Sequence, residues 1–248
     1  MARKHENPAS EALEELESFG DRMAEWVGRN PMLVLGTALG VLIIAAAYGF
    51  SQSYVDSERD RASAELAAVG AQFRKAMGAS PNDFEIVEPA NPETAHKARS
   101  EALEAYLALA EEYSGSAVGS IAALEAGGLQ ADLGDPERAL AIWRDAAGHS
   151  ESIPRALLLN RIAAAHEDAG DWAEAAAAYQ EAFEVESYPL RYGALLDAAR
   201  CLAESGDAPG AVALFERVEN EAENLRVPDH IALRMRELRA ASIAQTGS

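Results

Sequence analysis

The chain has little that reacts and little that attracts polyanions. One cysteine, Cys201, stands among 248 residues, which excludes an internal disulfide and leaves a small residue suited to a helix interior. Cations are scarce, with 21 Lys and Arg against 41 Asp and Glu and a formal net charge of −20. Phosphate backbones need a basic footprint, so nucleic acid is excluded as a partner. Aromatics are only 6% of the chain, and β-branched runs are confined to one segment, which argues against a sheet protein. The histidines (His5, His96, His149, His166 and His230) lack metal-ligand spacing, and His166-Glu167 has no second histidine to complete a zincin motif. There is no phosphate-binding glycine loop and no nucleophile elbow. The expectation is a protein that is not an enzyme, with no catalytic residue, no cofactor and no metal site.

What is abundant is alanine, which costs least in a helix and lets helix axes approach closely. Residues 32–50 (MLVLGTALGVLIIAAAYGF) carry no charge and are long enough to cross a hydrocarbon core of about 30 Å as a helix. Asn30-Pro31 reads as a cap followed by proline in the first turn. Before them, Leu13, Leu16, Phe19, Met23, Trp26 and Val27 recur at helical spacing among acids. That long acidic segment is unlike the short basic start of a cleaved signal peptide, so an uncleaved anchor is expected. Arg29 at its boundary biases the N-terminus inward and the large domain outward. Gly36 and Gly40 form a GxxxG pair suited to packing against another membrane helix. The expected organisation is an amphipathic cytoplasmic segment at 1–30, a transmembrane helix at 31–52, a helical stalk and loop at 53–92, and a helical solenoid at 93–248.

The solenoid is read from an internal repeat. Gly134-Asp135, Gly170-Asp171 and Gly206-Asp207 recur every 36 residues, each followed at the same offsets by Ala139, Ala175 and Ala211, then by Trp143, Tyr179 and Phe215. Upstream sit Gly127, Ala163 and Ala199 in the same register. The glycine ends a first helix (A) in a left-handed conformation, and the aspartate caps a second (B). The small residues mark where A and B cross, and the aromatic fills the space beside the next pair. Ala102, Tyr106 and Leu109 repeat the helix-B signature, with helix 57–78 as its degenerate helix A. Pro154, Pro189 and Pro228 are expected just inside each following helix A, after lengthened turns. Residues 229–245, with Arg234, Arg236 and Arg239, are expected as a basic capping helix.

These residues resemble the tetratricopeptide repeat (TPR), over about residues 116–248. The resemblance implies an all-α solenoid of three to four helix pairs whose inner face holds protein segments. By register the groove positions are Ile121, Leu124, Asp132, Leu157, Asn160, Glu167, Asp168, Leu196, Arg200 and Glu204, a mixture of aliphatic and acidic character. The Lys/Asn/Arg cluster with which some such domains clamp a C-terminal carboxylate is missing. Anchor, stalk and small TPR domain together resemble the YfgM-like family of ancillary Sec translocon subunits, although the N-terminal segment here is longer and more acidic. That resemblance implies a bacterial inner-membrane protein with a periplasmic C-terminal domain. Its partners would be the translocon and a membrane-anchored periplasmic chaperone. The alternative is a structural subunit of another envelope assembly, such as a secretion or pilus machine.

The topology has a direct test. Protease added to spheroplasts should digest the C-terminal domain. Full protection would reverse the orientation, and a mature N-terminus near Ala47 would show that the anchor is cleaved.

Overall fold

The computed structural model describes residues 57–79, 88–222, 227 and 229–246. Two compact units divide the chain, Met1–Arg59 and Asp60–Ser248, and nearly all described residues lie in the second. The expected membrane helix with Gly36 and Gly40, and the segment before it, lie outside the described residues. Among the described residues no helix is long and apolar enough to cross a membrane.

Nine helices are described: α1 (57–76), α2 (Pro92–Glu112), α3 (Ala117–Asp132), α4 (Pro136–His149), α5 (Ser152–Ala169), α6 (Trp172–Phe183), α7 (Arg191–Glu204), α8 (Ala208–Glu221) and α9 (Asp229–Thr246). Each packs on its neighbour in sequence, and α3 also touches α5. The odd-numbered helices therefore act as helix A and the even-numbered ones as helix B of successive antiparallel pairs. The stretch expected as a stalk joins this stack, because Leu66, Val69 and Phe73 of α1 pack against Ala102, Tyr106 and Leu109 of α2.

The punctuation residues act as local physics requires. Gly134, Gly170 and Gly206 sit at φ +90°, +80° and +90°, a left-handed conformation open to glycine at little cost. Asp135 accepts a hydrogen bond from the Arg138 amide and Asp207 from the Gly210 amide, each capping a helix B. Asp171 is the exception. It makes no cap bond, and its carboxylate lies instead 3.4 Å from Nδ1 of His166.

Packing follows the 36-residue register. Ala139, Ala175 and Ala211 are fully buried, as are Ala163 and Ala199 at the crossings. At the first crossing the approach is closest: a Cβ on Gly127 would overlap the indole of Trp143. That indole donates from Nε1 to the Leu124 carbonyl at 3.0 Å, so α3 and α4 are pinned by both shape and hydrogen bond. Tyr179 packs among Ala175, Ala194, Ala198 and Cys201, bridging one pair to the next. Phe215 packs with Ile231 and Met235 of α9.

The extra length of the repeat is distributed differently from expectation. Only Ser150 and Glu151 separate α4 from α5, and α5 itself has 18 residues. The first excess therefore lies in helix A rather than in the turn. Between α6 and α7 the turn is indeed long, and Pro189 lies before α7, not inside it. Burial of Tyr188 anchors that turn, and the Arg191 and Arg217 guanidiniums lie 4.3 and 4.4 Å from the Phe183 ring centre beside it. Pro154 does fall within its helix A, and Pro228 lies outside the described residues.

Two adjacent glycines separate crossing from propensity. Gly127→Ala would overpack the α3–α4 contact at a cost of about 1–3 kcal/mol, more than the roughly 1 kcal/mol alanine gains in a helix. A methyl group added at Gly128 would meet nothing within 4 Å, so Gly128→Ala should stabilise by about 0.5–1 kcal/mol. Urea midpoints of the two variants should move in opposite directions; a common direction would refute the crossing geometry.

Candidate protein-binding face

Helices α3 and α5 each bury one side against helices B. On α3 the buried set includes Ala122, Ala123, Ala126 and Gly127; on α5 it includes Leu158, Leu159, Ile162, Ala163 and His166. The remaining stripe runs at helical spacing through Ile121, Leu124, Gly128 and Asp132 on α3 and through Leu157, Asn160, Ala164 and Asp168 on α5. Ile121 and Leu157 are each 36% exposed, and Ile153, one turn before Leu157, is exposed as well. Asp132, Asp168 and Glu204 are all exposed. Leu124 is half-buried against the core, and the Asn160 amide is turned onto the Ala156 carbonyl of its own helix.

Three expected groove residues do other work. Leu196 is only 4% exposed and lies in the core with Phe183, Phe215 and Met235. The cap α9 packs over that part of α7 through Ile231 and Met235, so its register position is not a surface one. Glu167 does not sit on a solvated face either. Its carboxylate accepts from Arg200 of α7 at 2.7 Å. Arg200 in turn lies 3.6 Å from Asp197. Glu167 and Arg200 therefore tie one helix A to the next rather than lining an open groove. Repeat register gives a side chain its direction but not its partner.

The electrostatics follow from this half-buried cluster. Burial alone would raise the Glu167 carboxyl, but the Arg200 guanidinium, with the Tyr179 hydroxyl nearby, outweighs it and holds it below its ordinary value. Asp197 goes the other way: burial pushes it up, against a smaller opposing pull from Arg200. Burial, with Glu167 adding to it, pushes the Cys201 thiol up to about 12, so the one cysteine is an inert core group. His166, 7% exposed, has Nε2 at 2.7 Å from Arg144. Arginine only donates, so Nε2 is the acceptor there.

Elsewhere, Arg99 of α2 pairs with Glu88 and reaches Asp132 at 3.8 Å. On the opposite, helix-B side, a cavity of about 570 Å³ opens between α2 and α4 over Ala123 and Ile142, and a second of about 380 Å³ opens between α4 and α6 beside His166. Among the described residues no group of three His, Cys, Asp or Glu could hold a metal ion.

Glu167 provides a pH signature. Its folded value lies below the ordinary 4.5, so its contribution is complete above that pH and is lost as pH falls through the folded value. Glu167→Gln should lower the neutral-pH unfolding midpoint and flatten the loss of stability below pH 4.5. Arg200→Met, which keeps an unbranched stem and removes the guanidinium that bonds Glu167, should lose about 1.5–3 kcal/mol, as bonds to charged groups do. An acid limb equally steep in wild type and Glu167→Gln would remove Glu167 from the linkage between helices.

Comparison with known proteins adds a partial family match to this geometry. None of the curated proteins compared with the chain matches it. The fold resembles crystal structures of nearly identical TPR-like repeats from Podosopora anserina, a candidate kinesin light chain. One has 16% identity, covers 73% of this chain and 90% of that one, and gives a TM-score of 0.48. A single-substitution variant of the same repeats has 15% identity, coverage of 74% and 98%, and a TM-score of 0.45. Residues 166–234, from the end of α5 into α9, match the tetratricopeptide repeat family; the described helices form an all-α TPR-like solenoid, a fold that implies a protein–protein interaction scaffold.

Proposed function

We propose that this chain is a membrane-anchored adaptor, without enzymatic activity, whose solenoid projects from the bacterial inner membrane into the periplasm and holds protein segments on its helix-A face. The reading of the face rests on one observation: Ile121 and Leu157 occupy the same repeat position on neighbouring helices and are both exposed. An aliphatic pair left open beside small and polar groups is what a binding surface needs, since apolar contact supplies affinity and the surrounding polar groups keep the free protein soluble. The membrane anchor is supported by the uncharged run at 32–50. Service at the Sec translocon, with a periplasmic chaperone as the second partner, is supported by the likeness of the whole arrangement to the YfgM-like family.

A photo-crosslinking residue in place of Leu157, in the full-length protein in cells, tests this. Translocon and chaperone subunits are the expected adducts. Adducts confined to the components of one secretion or pilus machine would establish a structural subunit instead. Adducts from Ala141, on the exposed helix-B side, with none from position 157, would move the binding surface to the other face.

A further inference from the structure

The helix-A face carries two parallel rows in the 36-residue register. One is Ile121, Leu157 and Gly193; the other is Asp132, Asp168 and Glu204. Within α3 and within α5 the rows lie eleven residues apart (121 to 132, 157 to 168), or about 16 Å at 1.5 Å per residue. Between them the floor holds Gly128 and Ala164 with the half-buried Leu124 and Asn160 and the exposed Arg161, and a methyl built on Gly128 or Gly193 would meet nothing within 4 Å. An α-helix with its side chains is about 10–12 Å across, so it fits between the rows with room for long side chains to reach the acidic one.

The charge on that row is available. Asp168 and Glu204 form no ion pair among the described residues, and Asp132, although near Arg99, keeps a side chain 62% exposed. Two nearby cations are committed elsewhere, Arg99 to Glu88 and Arg200 to Glu167 and Asp197, and the exposed Arg161 on α5 offsets only part of the charge of the three carboxylates. The cavity between α2 and α4 offers a smaller bias, since Glu111 and Asp145 share it with Arg138.

Resting on the helix-A face as the binding surface, we infer that its partner is a basic amphipathic helix whose Lys or Arg residues recur every seven positions. Packed helices lie about 8–10 Å apart, which sets the spacing of the two acidic rungs on the touching helices α3 and α5. Seven residues of a helix advance about 10.5 Å and return to the same side, so one cation faces each rung. The aliphatic stripe of such a helix turns to Ile121 and Leu157, and the open space at Gly193 takes a large apolar side chain. The match selects a pattern rather than a sequence. An extended strand places every second residue on one side, at about 6.8 Å, out of step with the rungs.

The test uses the full-length protein in detergent and three labelled 21-residue synthetic peptides of one leucine-alanine framework. The first carries Lys every seven residues, the second carries the same Lys count scattered around the helix, and the third carries Gln in place of Lys. The heptad peptide should bind tightest and gain helicity on binding, and its advantage should shrink with salt, as exposed charges are screened within about 8 Å at physiological ionic strength. The triple variant D132N/D168N/E204Q, checked for unchanged helicity, should weaken it about tenfold, three exposed pairs' worth, and abolish its advantage over the scattered peptide. L157D should weaken all three peptides. Equal binding of the three peptides with L157D still harmful would overturn the basic-helix partner and leave the face intact. Binding that L157D does not alter, or no binding by any of the three, would overturn the face itself.

Discussion

Everything in this solenoid depends on how closely helix A approaches helix B. The distance is set by Gly127, Ala163 and Ala199, each buried opposite an aromatic of the following helix. A small residue there lets Trp143, Tyr179 or Phe215 lie across the crossing rather than beside it. Each aromatic then reaches past its own pair, as Tyr179 does to Ala194 and Cys201. The crossing thus determines both the angle within a pair and the contact that stacks one pair on the next. A solenoid has only nearest-neighbour interfaces, so no distant contact can compensate for a poor one.

Once the pairs are stacked, polar groups on successive helices A are brought within reach, and some of them bind each other instead of a ligand. Glu167 and Arg200 are the clearest case. Together with Tyr179 and Asp197 they form a cluster in which a charge-assisted bond crosses from α5 to α7. That contact removes two charges from the inner face and leaves the exposed acids at its edge as the dominant field. The face is therefore sorted, with aliphatic groups toward one end of the helices, small residues in the middle and carboxylates at the other end.

The fold was legible because its signals are local and repeated. Three glycines needing positive φ, two of three aspartates used as caps, and three aromatics at one offset all fall where the register puts them. Turn lengths were less legible. The register fixes only the sum of helix and turn, and α5 took its extra residues as helix while the α6–α7 connection took them as turn. Asp171 shows the same limit on a smaller scale, since its choice between a helix cap and His166 depends on a side chain that only the folded pair brings near.

The candidate face divides along the same line. That Ile121 and Leu157 share one repeat position, and that Asp132, Asp168 and Glu204 share another, is a property of the sequence alone, because periodicity places equivalent residues on equivalent faces. Which of the register positions stay open was decided by tertiary structure. Leu196 and Leu124 differ in no way that a pattern could register, yet α9 closes over the first while the second stays half-exposed. Glu167 and Asp168 are neighbours in sequence, and only the stacking of α7 onto α5 gives the first an arginine and leaves the second to solvent. Periodicity assigns a direction to each side chain; whether something stands in that direction is settled by packing.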